Sequence, residues 1–345
     1  MKIAHLLLTH SFAGTERYVV ELANAQALAG HDVTVILHKR AAEQRPNAIA
    51  HRFNEHVQKV SVGGWGFLSF WTARRALMQL HLQQGLDVAH AHLSAGCRAL
   101  RGLEVSFLRV ATLHIRYKPQ QHLHMDALIA IAPWQLKDVA ADQIARTQQI
   151  NNWTQAKPAT PSARQELRAQ WGIADDEYLV GALCRAEASK GLDVLIKAYL
   201  ARRPAKTRLA LVGGGRDWEA LRQLAPADVL MPGFVEKPED WFSAFDAYVS
   251  AARSEPFGLV FLEAFAARLP VLSTASEGAQ MFQTMIARPL VPCDDVAAMS
   301  QALQDLAQER PTQLAYDLSG YDCQTQVKRI EDFYKAQLAT NSQHK

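Results

Sequence analysis

The stretch that most limits how this chain can fold covers residues 254–266, Ser-Glu-Pro-Phe-Gly-Leu-Val-Phe-Leu-Glu-Ala-Phe-Ala. Apolar runs flank it at 246–250 and 270–273. Short apolar runs bounded by turn residues read as buried strands. Pro256 and Gly258 demand a turn between them. From Leu259 onward apolar residues fall on nearly every face, the pattern of a helix packed deep against a sheet. The segment therefore reads strand, glycine turn, helix, strand. A glycine turn feeding a helix offers free N–H groups and a positive dipole end, which suits an anion. Glu255 lies in the turn and Glu263 in the helix. Carboxylates do not suit the phosphate itself, but they accept hydrogen bonds from sugar hydroxyls beside it.

The same alternation runs through the whole chain. Residues 3–8 read as a buried strand, 9–14 as a loop, 16–29 as a helix ended by Gly30, and 32–37 as the next strand. That unit opens a doubly wound α/β domain. A G-x-G-x-x-G fingerprint is missing after the first strand, where only Gly14 stands, and this argues against a nicotinamide dehydrogenase. Strands are expected at 87–92, ending in a loop, and at 109–114, with 126–132 and 149–150 completing the first sheet. His114 falls at a strand's carboxyl end, where open α/β sheets bind ligands. Arg116, Tyr117 and Lys118 follow it and suit an anion. His90 and His92 share one face of their strand and would start a metal site. Apart from a separate His122 and His124, no further ligand stands at metal-like spacing, so no metal is expected. Residues 39–64 are polar and show no usable period. Residues 67–84 read as a helix carrying Phe67, Phe70, Trp71, Arg74 and Arg75, preceded by Trp65. Its aromatic side would either face the domain core, the favoured reading, or rest on a membrane surface with arginines toward lipid phosphates.

Residues 154–162, with two prolines among small polar residues, read as a linker. Beyond it come a helix at 163–171, a strand at 178–184 and a helix at 192–200. Arg185 and Lys190 sit on the intervening turn, where a fork and a point charge can converge on one anion. A strand at 208–212 enters the glycines 213–215, another strand spans 229–235, and an amphipathic helix at 323–338 ends the pattern. A length of 345 residues fits two such domains. Net charge is +3, from 37 basic and 34 acidic residues, too balanced for a nucleic-acid binder. Cys97, Cys184, Cys293 and Cys323 are far apart and read as reduced thiols of a cytoplasmic protein. The N-terminal apolar run is broken by His5 and lacks a cleavage site, so it reads as a strand rather than a signal peptide.

The string E-P-F-G-L-V-x-L-E-A-x-A-x-x-x-P-V, with Glu255 and Glu263 at its Glu-x7-Glu core, resembles the donor-site signature of retaining nucleotide-sugar glycosyltransferases of family 4. That resemblance implies the GT-B fold: α/β, two Rossmann-like doubly wound domains facing a central cleft. The implied division is an acceptor domain at 1–155, a donor domain at 156–322 and a helix at 323–345 crossing back to the first domain. Residues 185–191 resemble the family's G-R-L-x-x-x-K-G element, with Cys184 and Ala186 replacing the glycine and leucine but both cations in register. By the resemblance, Arg185 and Lys190 bind the donor diphosphate. Gly14, preceded by Ala13 where the family has a second glycine, lets backbone approach the same group. Gly213 matches the strand-Gly-x-Gly step, Phe234 and Val235 lie beside the nucleobase, and Phe257, Gly258 and Leu259 form the signature turn. Glu255 takes sugar hydroxyls, Glu263 takes the ribose, and His114 lies near the reacting sugar. Asp-Val-x-His-x-His at 87–92 resembles the family's fourth-strand pattern.

Two departures stand out. Glu277-Gly-Ala-Gln-Met281 replaces a common Gly-Gly-x-x-Glu, and Arg268 replaces a glycine. Both are expected on the base and ribose side of the donor. The implied activity is transfer of a sugar, UDP-linked by preference, to a saccharide or glycolipid acceptor such as lipopolysaccharide core. No Asp-x-Asp pair stands at a strand end, so the resemblance implies metal-independent catalysis without a cofactor. Retention is best read as front-face displacement, because no nucleophilic carboxylate can be singled out. A sugar-nucleotide epimerase and a catalytically silent nucleotide-sugar-binding subunit remain open as other readings.

Overall fold

The computed structural model describes residues 1–10, 12–43, 48–64, 68–155 and 159–343. Trp65 and Phe67 of the surface-helix expectation, and 156–158 of the linker, lie outside the described residues. Two compact units divide the chain, Met1–Trp153 with Tyr321–Lys345, and Thr154–Gly320.

The first unit is built on a seven-stranded sheet ordered β3-β2-β1-β4-β5-β6-β7. Its strands are β1 Lys2–Leu7, β2 Asp32–His38, β3 Gln58–Val62, β4 Val88–His92, β5 Leu108–Leu113, β6 Ala127–Ala130 and β7 Thr147–Gln149. Every pairing is parallel. Parallel sheets are covered on both faces, which explains the near-continuous apolar runs. One face carries Ala4, Leu6, Ala89, Ala91 and Ala111, packed with Leu77 and Leu80 of the helix Leu68–Gln84. Side chains alternate across a strand, so His5, His90, His92 and Thr112 take the other face, where all four are buried. Above that face run the helix Gly14–Leu28 and the C-terminal helix Cys323–Gln343, which pack on each other. Ile330, Phe333 and Tyr334 of the last helix are buried.

Several expectations are revised here. Residues 39–64 are not irregular throughout. Residues 58–62 form the edge strand β3, whose residues are mostly exposed, and an edge with Lys59 gives no apolar signal to read. The strand at 88–92 does not end in a loop but leads straight into the helix Leu93–Leu100, with Leu93 at φ 63. On the helix Leu68–Gln84 the aromatics part company. Phe70 packs against the core, while Trp71 is 53% exposed beside the Arg74 guanidinium, 5.7 Å from its ring.

The second unit has a five-stranded parallel sheet ordered β10-β9-β8-β11-β12. Its strands are β8 Tyr178–Leu183, β9 Thr207–Val212, β10 Leu230–Gly233, β11 Ala247–Ser250 and β12 Val271–Ser273. The signature segment does form strand, glycine turn and helix, the helix being Leu259–Ala266, followed by β12. Phe261, Leu262, Ala264 and Phe265 of that helix are buried. Leu209, Leu211, Val249 and Leu272 from the sheet share a core with Leu195, Met299 and Leu303 from the helices Leu192–Arg202 and Val296–Glu309. Arg168 binds Asp246 at 3.1 Å, and Asp246 also accepts from the Leu179 backbone N–H at 2.7 Å, which ties the helix Ala163–Gln170 to the start of β11.

Candidate active site

Strand order in the second unit reverses between β8 and β11, since β9 and β10 lie on one side of β8 and β12 lies beyond β11. Ligands of open α/β sheets bind at the carboxyl ends of the strands at such a reversal. Lys190 follows β8 and Glu255 follows β11, so the two reach the crevice from opposite sides. Their side chains meet there, with Lys190 Nζ donating to Glu255 Oε2 at 2.6 Å. Both are largely shielded, at 15% and 18% exposure. Arg185 projects from the same turn, 64% exposed, with Glu187 Oε1 at 3.0 Å. Lys190 is held there by its own turn. Gly191 has φ +61, and a Cβ on it would meet the Ala251 carbonyl oxygen at 2.0 Å. Arg253 braces the turn from β11, donating to both carboxylate oxygens of Asp193 at 2.9 and 3.0 Å, while its backbone N–H bonds the Ser189 carbonyl at 2.9 Å.

Gly258 caps the signature helix at φ +86, where a Cβ would collide with the Phe261 ring. No side chain caps this helix end, so its first N–H groups have no side-chain acceptor from the cap residue. The ring of Phe257 is buried against Phe282, with centroids 5.5 Å apart. Phe257 therefore offers a ligand only its backbone. Leu259 is half-buried at the helix start. Glu255 and Glu263 both act electrostatically on the buried Tyr248. Burial first, then the nearby Cys184, Glu255 and Glu263, holds the Tyr248 phenol well above its ordinary pKa. Burial likewise pushes the Cys184 thiol up to about 12, with nearby Lys190 opposing and Glu255 adding. Gly213, at φ +126, ends β9 and donates its N–H to the Gly233 carbonyl at 2.8 Å. Phe234 follows as a 68% exposed ring, and Val235 is half-buried. A cavity of about 510 Å³ adjoins this turn, lined in part by Glu187, Asp193 and Asp217. Its one arginine, Arg253, is already paired with Asp193, and the three carboxylates outnumber it, so the switch point is the better candidate for a diphosphate.

Both sequence departures acquire a physical meaning. Glu277 opens a short helix, and its Oε2 accepts from the Glu255 backbone N–H at 3.2 Å, while the Gly278 N–H donates to the Glu255 carbonyl at 2.7 Å. Glu277 and Gly278 thus hold the backbone of Glu255, a role sequence reasoning missed because the contact spans 22 residues. Arg268 is not at the signature turn. It follows the far end of the helix at φ +61, with its N–H bonded to the Phe265 carbonyl at 2.9 Å. The usual glycine there is a helix terminator, and the expected bearing on the donor is withdrawn.

In the first unit the strand order reverses between β1 and β4. Gly14 begins the helix after β1, with Ala13 as an extended cap residue and no side-chain cap. His114 lies after β5, nearly buried. It joins a chain of side chains: His114 Nε2 to His92 Nδ1 at 3.0 Å, His92 Nε2 to His5 Nδ1 at 3.1 Å, and His5 Nε2 to Gln26 Oε1 at 2.8 Å. His90 bonds Tyr334 Oη at 2.6 Å and Thr112 Oγ1 at 2.8 Å. Burial dominates their protonation. It lowers His5 to about 4 and His114 to about 3, and drives His90 and His92 well below the ordinary range, helped by the neighbouring imidazoles. His5, His90 and His92 offer three ligand atoms within 4.8 Å of one another, a grouping the sequence hid because His5 joins only through β1–β4 pairing. All six of their ring nitrogens have hydrogen-bond partners, so a metal would have to displace side chains already satisfied. Tyr117 is corrected as an anion-binding residue. It is buried and donates to Gln143 Oε1 at 2.7 Å. Arg116 instead stacks over Trp134 at 5.0 Å.

Two doubly wound parallel sheets, with cations and carboxylates at the switch point of the second, define the GT-B class of α/β glycosyltransferases. A sequence profile described as Glycosyltransferase Family 4 matches residues 12–178, and one described as Glycosyl transferases group 1 matches residues 177–309. The chain belongs to this group of glycosyltransferases. It is 27% identical over 326 residues to the lipopolysaccharide core biosynthesis glycosyltransferase LpsD of Rhizobium meliloti, covering 89% of this chain and 88% of the relative. It is 27% identical over 323 residues to a D-inositol 3-phosphate glycosyltransferase of Xylanimonas cellulosilytica, covering 78% and 77%. Among solved structures, Anabaena Alr3699/HepE in complex with UDP and glucose superposes with TM-score 0.79 at 18% identity, over 97% of this chain and 100% of that one. WaaG, a glycosyltransferase involved in lipopolysaccharide biosynthesis, superposes with TM-score 0.69 at 17% identity, over 98% of each chain. The profiles carry the family, and the solved structures carry the fold. No helix among the described residues is long and apolar enough to cross a membrane.

Proposed function

We propose that this chain is a retaining, metal-independent glycosyltransferase that moves a sugar from a UDP-sugar to lipopolysaccharide core or another surface glycan. The observation that carries it is the meeting of Lys190 and Glu255 at the switch point of the second unit, with Arg185 on the same turn. In this reading residues 156–322 bind the donor and 1–155 the acceptor, with 323–345 completing the acceptor domain. Arg185 and Lys190 neutralise the diphosphate as it leaves. Glu255 takes sugar hydroxyls and Glu263 the ribose. Phe234 and Val235 flank the base, while Gly213, Phe257, Gly258 and Leu259 present backbone. Gly14 lets the first unit's backbone approach the diphosphate, and His114 serves the reacting sugar. Preorganised donors of this kind are worth roughly 10²–10³-fold in rate each. The leaving phosphate takes the acceptor proton, so no protein nucleophile is required.

The UDP preference is supported by neighbours solved with UDP, and the acceptor by the core-biosynthesis relatives. Other relatives are named for GDP-mannose, so the nucleotide is the first thing to test. A glycolipid acceptor fits exposed Leu68 and Trp71 with Arg75 on one helix, which would rest on the inner face of the cytoplasmic membrane. The deciding experiment is a thermal-shift panel with UDP, GDP, ADP and CMP, with and without Mn²⁺. A nucleotide at about 100 times its Kd stabilises the fold by about 2.7 kcal/mol. We expect UDP to shift the wild type without metal and to lose that shift in Lys190→Ala. A shift by GDP alone, or one that needs Mn²⁺, overturns the corresponding part of the reading. No shift by any nucleotide favours a catalytically silent subunit.

A further inference from the structure

The histidines of the first unit form a chain with a direction. A neutral imidazole has one N–H and one lone pair. Gln26 presents its carbonyl oxygen to His5 Nε2 at 2.8 Å, an orientation that leaves its own Nε2 buried without a partner; in it His5 Nε2 carries the proton and His5 Nδ1 is the acceptor. His92 must then donate through Nε2, which leaves His92 Nδ1 an acceptor. His114 must in turn donate through Nε2. One amide, three side chains away, thereby fixes which nitrogen of His114 holds its proton. Every link is buried, and no water-exposed group interrupts it. The chain is flanked by Tyr18, whose ring lies edge-on to His114 at 4.9 Å, and by His90, 4.2 Å from His92 between ring centroids. Tyr18 is itself packed by Trp153 at 4.4 Å, so the imidazoles have little freedom to turn.

We propose that Gln26, His5 and His92 are positioning residues that hold His114 as its Nε2–H tautomer, with Nδ1 offered as a hydrogen-bond acceptor to a hydroxyl of the sugar being transferred. The part concerning the sugar rests on the function proposed above; the part concerning the tautomer does not. A metal-independent enzyme that relies on an imidazole acceptor cannot let it exchange tautomers or charge, because either event turns the acceptor into a donor. A buried chain ending in an amide answers both needs. It has no terminal base to accept a second proton, and burial keeps each ring neutral. The same arrangement explains why a sheet face that could have been filled with valine and leucine carries imidazoles instead.

The tautomer is read directly from two-bond ¹H–¹⁵N spectra of the full chain with labelled histidine, His114 being assigned by its disappearance in His114→Gln. The expected pattern is a protonated Nε2 and a bare Nδ1 at neutral pH. His92→Leu should release His114 to a mixture of tautomers, and His92→Asn, which keeps an acceptor near the Nδ1 position, should restore the single form. Should His92→Leu fail to fold, Gln26→Leu at the far end of the chain tests the same point. In transfer assays His92→Leu should lower kcat by roughly 10- to 100-fold, with little change in donor KM, and His92→Asn should recover most of it. A His114 protonated at Nδ1, a tautomer unchanged by His92→Leu and Gln26→Leu, or stoichiometric zinc on the purified protein overturns the proposal. If the tautomer behaves as stated but no nucleotide sugar is turned over, the network stands and the transferase reading is what fails.

Discussion

At the scale of single residues, Lys190 is the one that most shapes the site, because it is already occupied. Glu255 holds it at 2.6 Å where both are largely screened from water. A diphosphate entering the switch point must draw the ammonium away from the carboxylate or share it. Glu255→Gln should therefore bind free nucleoside diphosphate more tightly, by about 1 kcal/mol or roughly fivefold, while losing transfer through lost sugar contacts. Calorimetry on both proteins, beside kcat, checks this, and unchanged or weaker diphosphate binding would contradict it. Arg268 gives a second residue-level expectation. It sits at φ +61, where a side chain costs energy that glycine does not. Arg268→Gly should stabilise the second unit by up to about 1 kcal/mol, seen as a raised midpoint in urea with nucleotide affinity unchanged.

The elements show how unevenly the structure was written in the sequence. The elements of the segment 254–273 were legible, because proline, two flanking apolar runs and a glycine turn admit one arrangement, but the place of Arg268 at the far end of the helix was not. The strand-to-helix turn that carries Arg185 and Lys190 was legible for the same reason. What was hidden lies in contacts that no local period encodes. Strand β3 is a mostly exposed edge and lacks the alternation that marks a strand. His5 could not be joined to His92 until β1 was known to pair with β4. Glu277 reaches back 22 residues to the Glu255 backbone. The glycine turns carry a prediction at this scale. Gly191→Ala would drive a methyl into the Ala251 carbonyl, so the Lys190 turn must move. Nucleotide binding should fall with Lys190 still present, and stability should drop by about 1–3 kcal/mol. A variant that keeps both wild-type affinity and stability would show that the turn does not position the lysine.

At the scale of the whole molecule, the first unit carries an acid sensitivity. His5 and His114 have folded pKa values of about 4 and about 3, against 6.5 in the unfolded chain, and His90 and His92 are also lowered. The titratable groups packed against them are Tyr18 and Tyr334, neutral throughout this range. Below pH 6.5 the unfolded chain takes up protons that the folded one refuses, so stability falls with pH from about 6.5 down to about 3–4 and the slope then fades. Each imidazole contributes at most about 1.4 kcal/mol per pH unit. Urea midpoints measured between pH 7.5 and 4.5 should fall, and His5→Gln should flatten the trend. A flat profile in the wild type would mean that these histidines are not neutral in the fold.

The last helix has a consequence for how the chain is made. His90 on β4 bonds Tyr334, and Arg329 donates to the Gln149 carbonyl at 3.2 Å. These contacts join the first sheet to residues translated after all of 154–320. All of the second unit therefore leaves the ribosome before the helix that covers the polar face of the first. The unit begun first is finished last, and a truncation near residue 322 leaves the second unit whole but tethered to an unfinished first one.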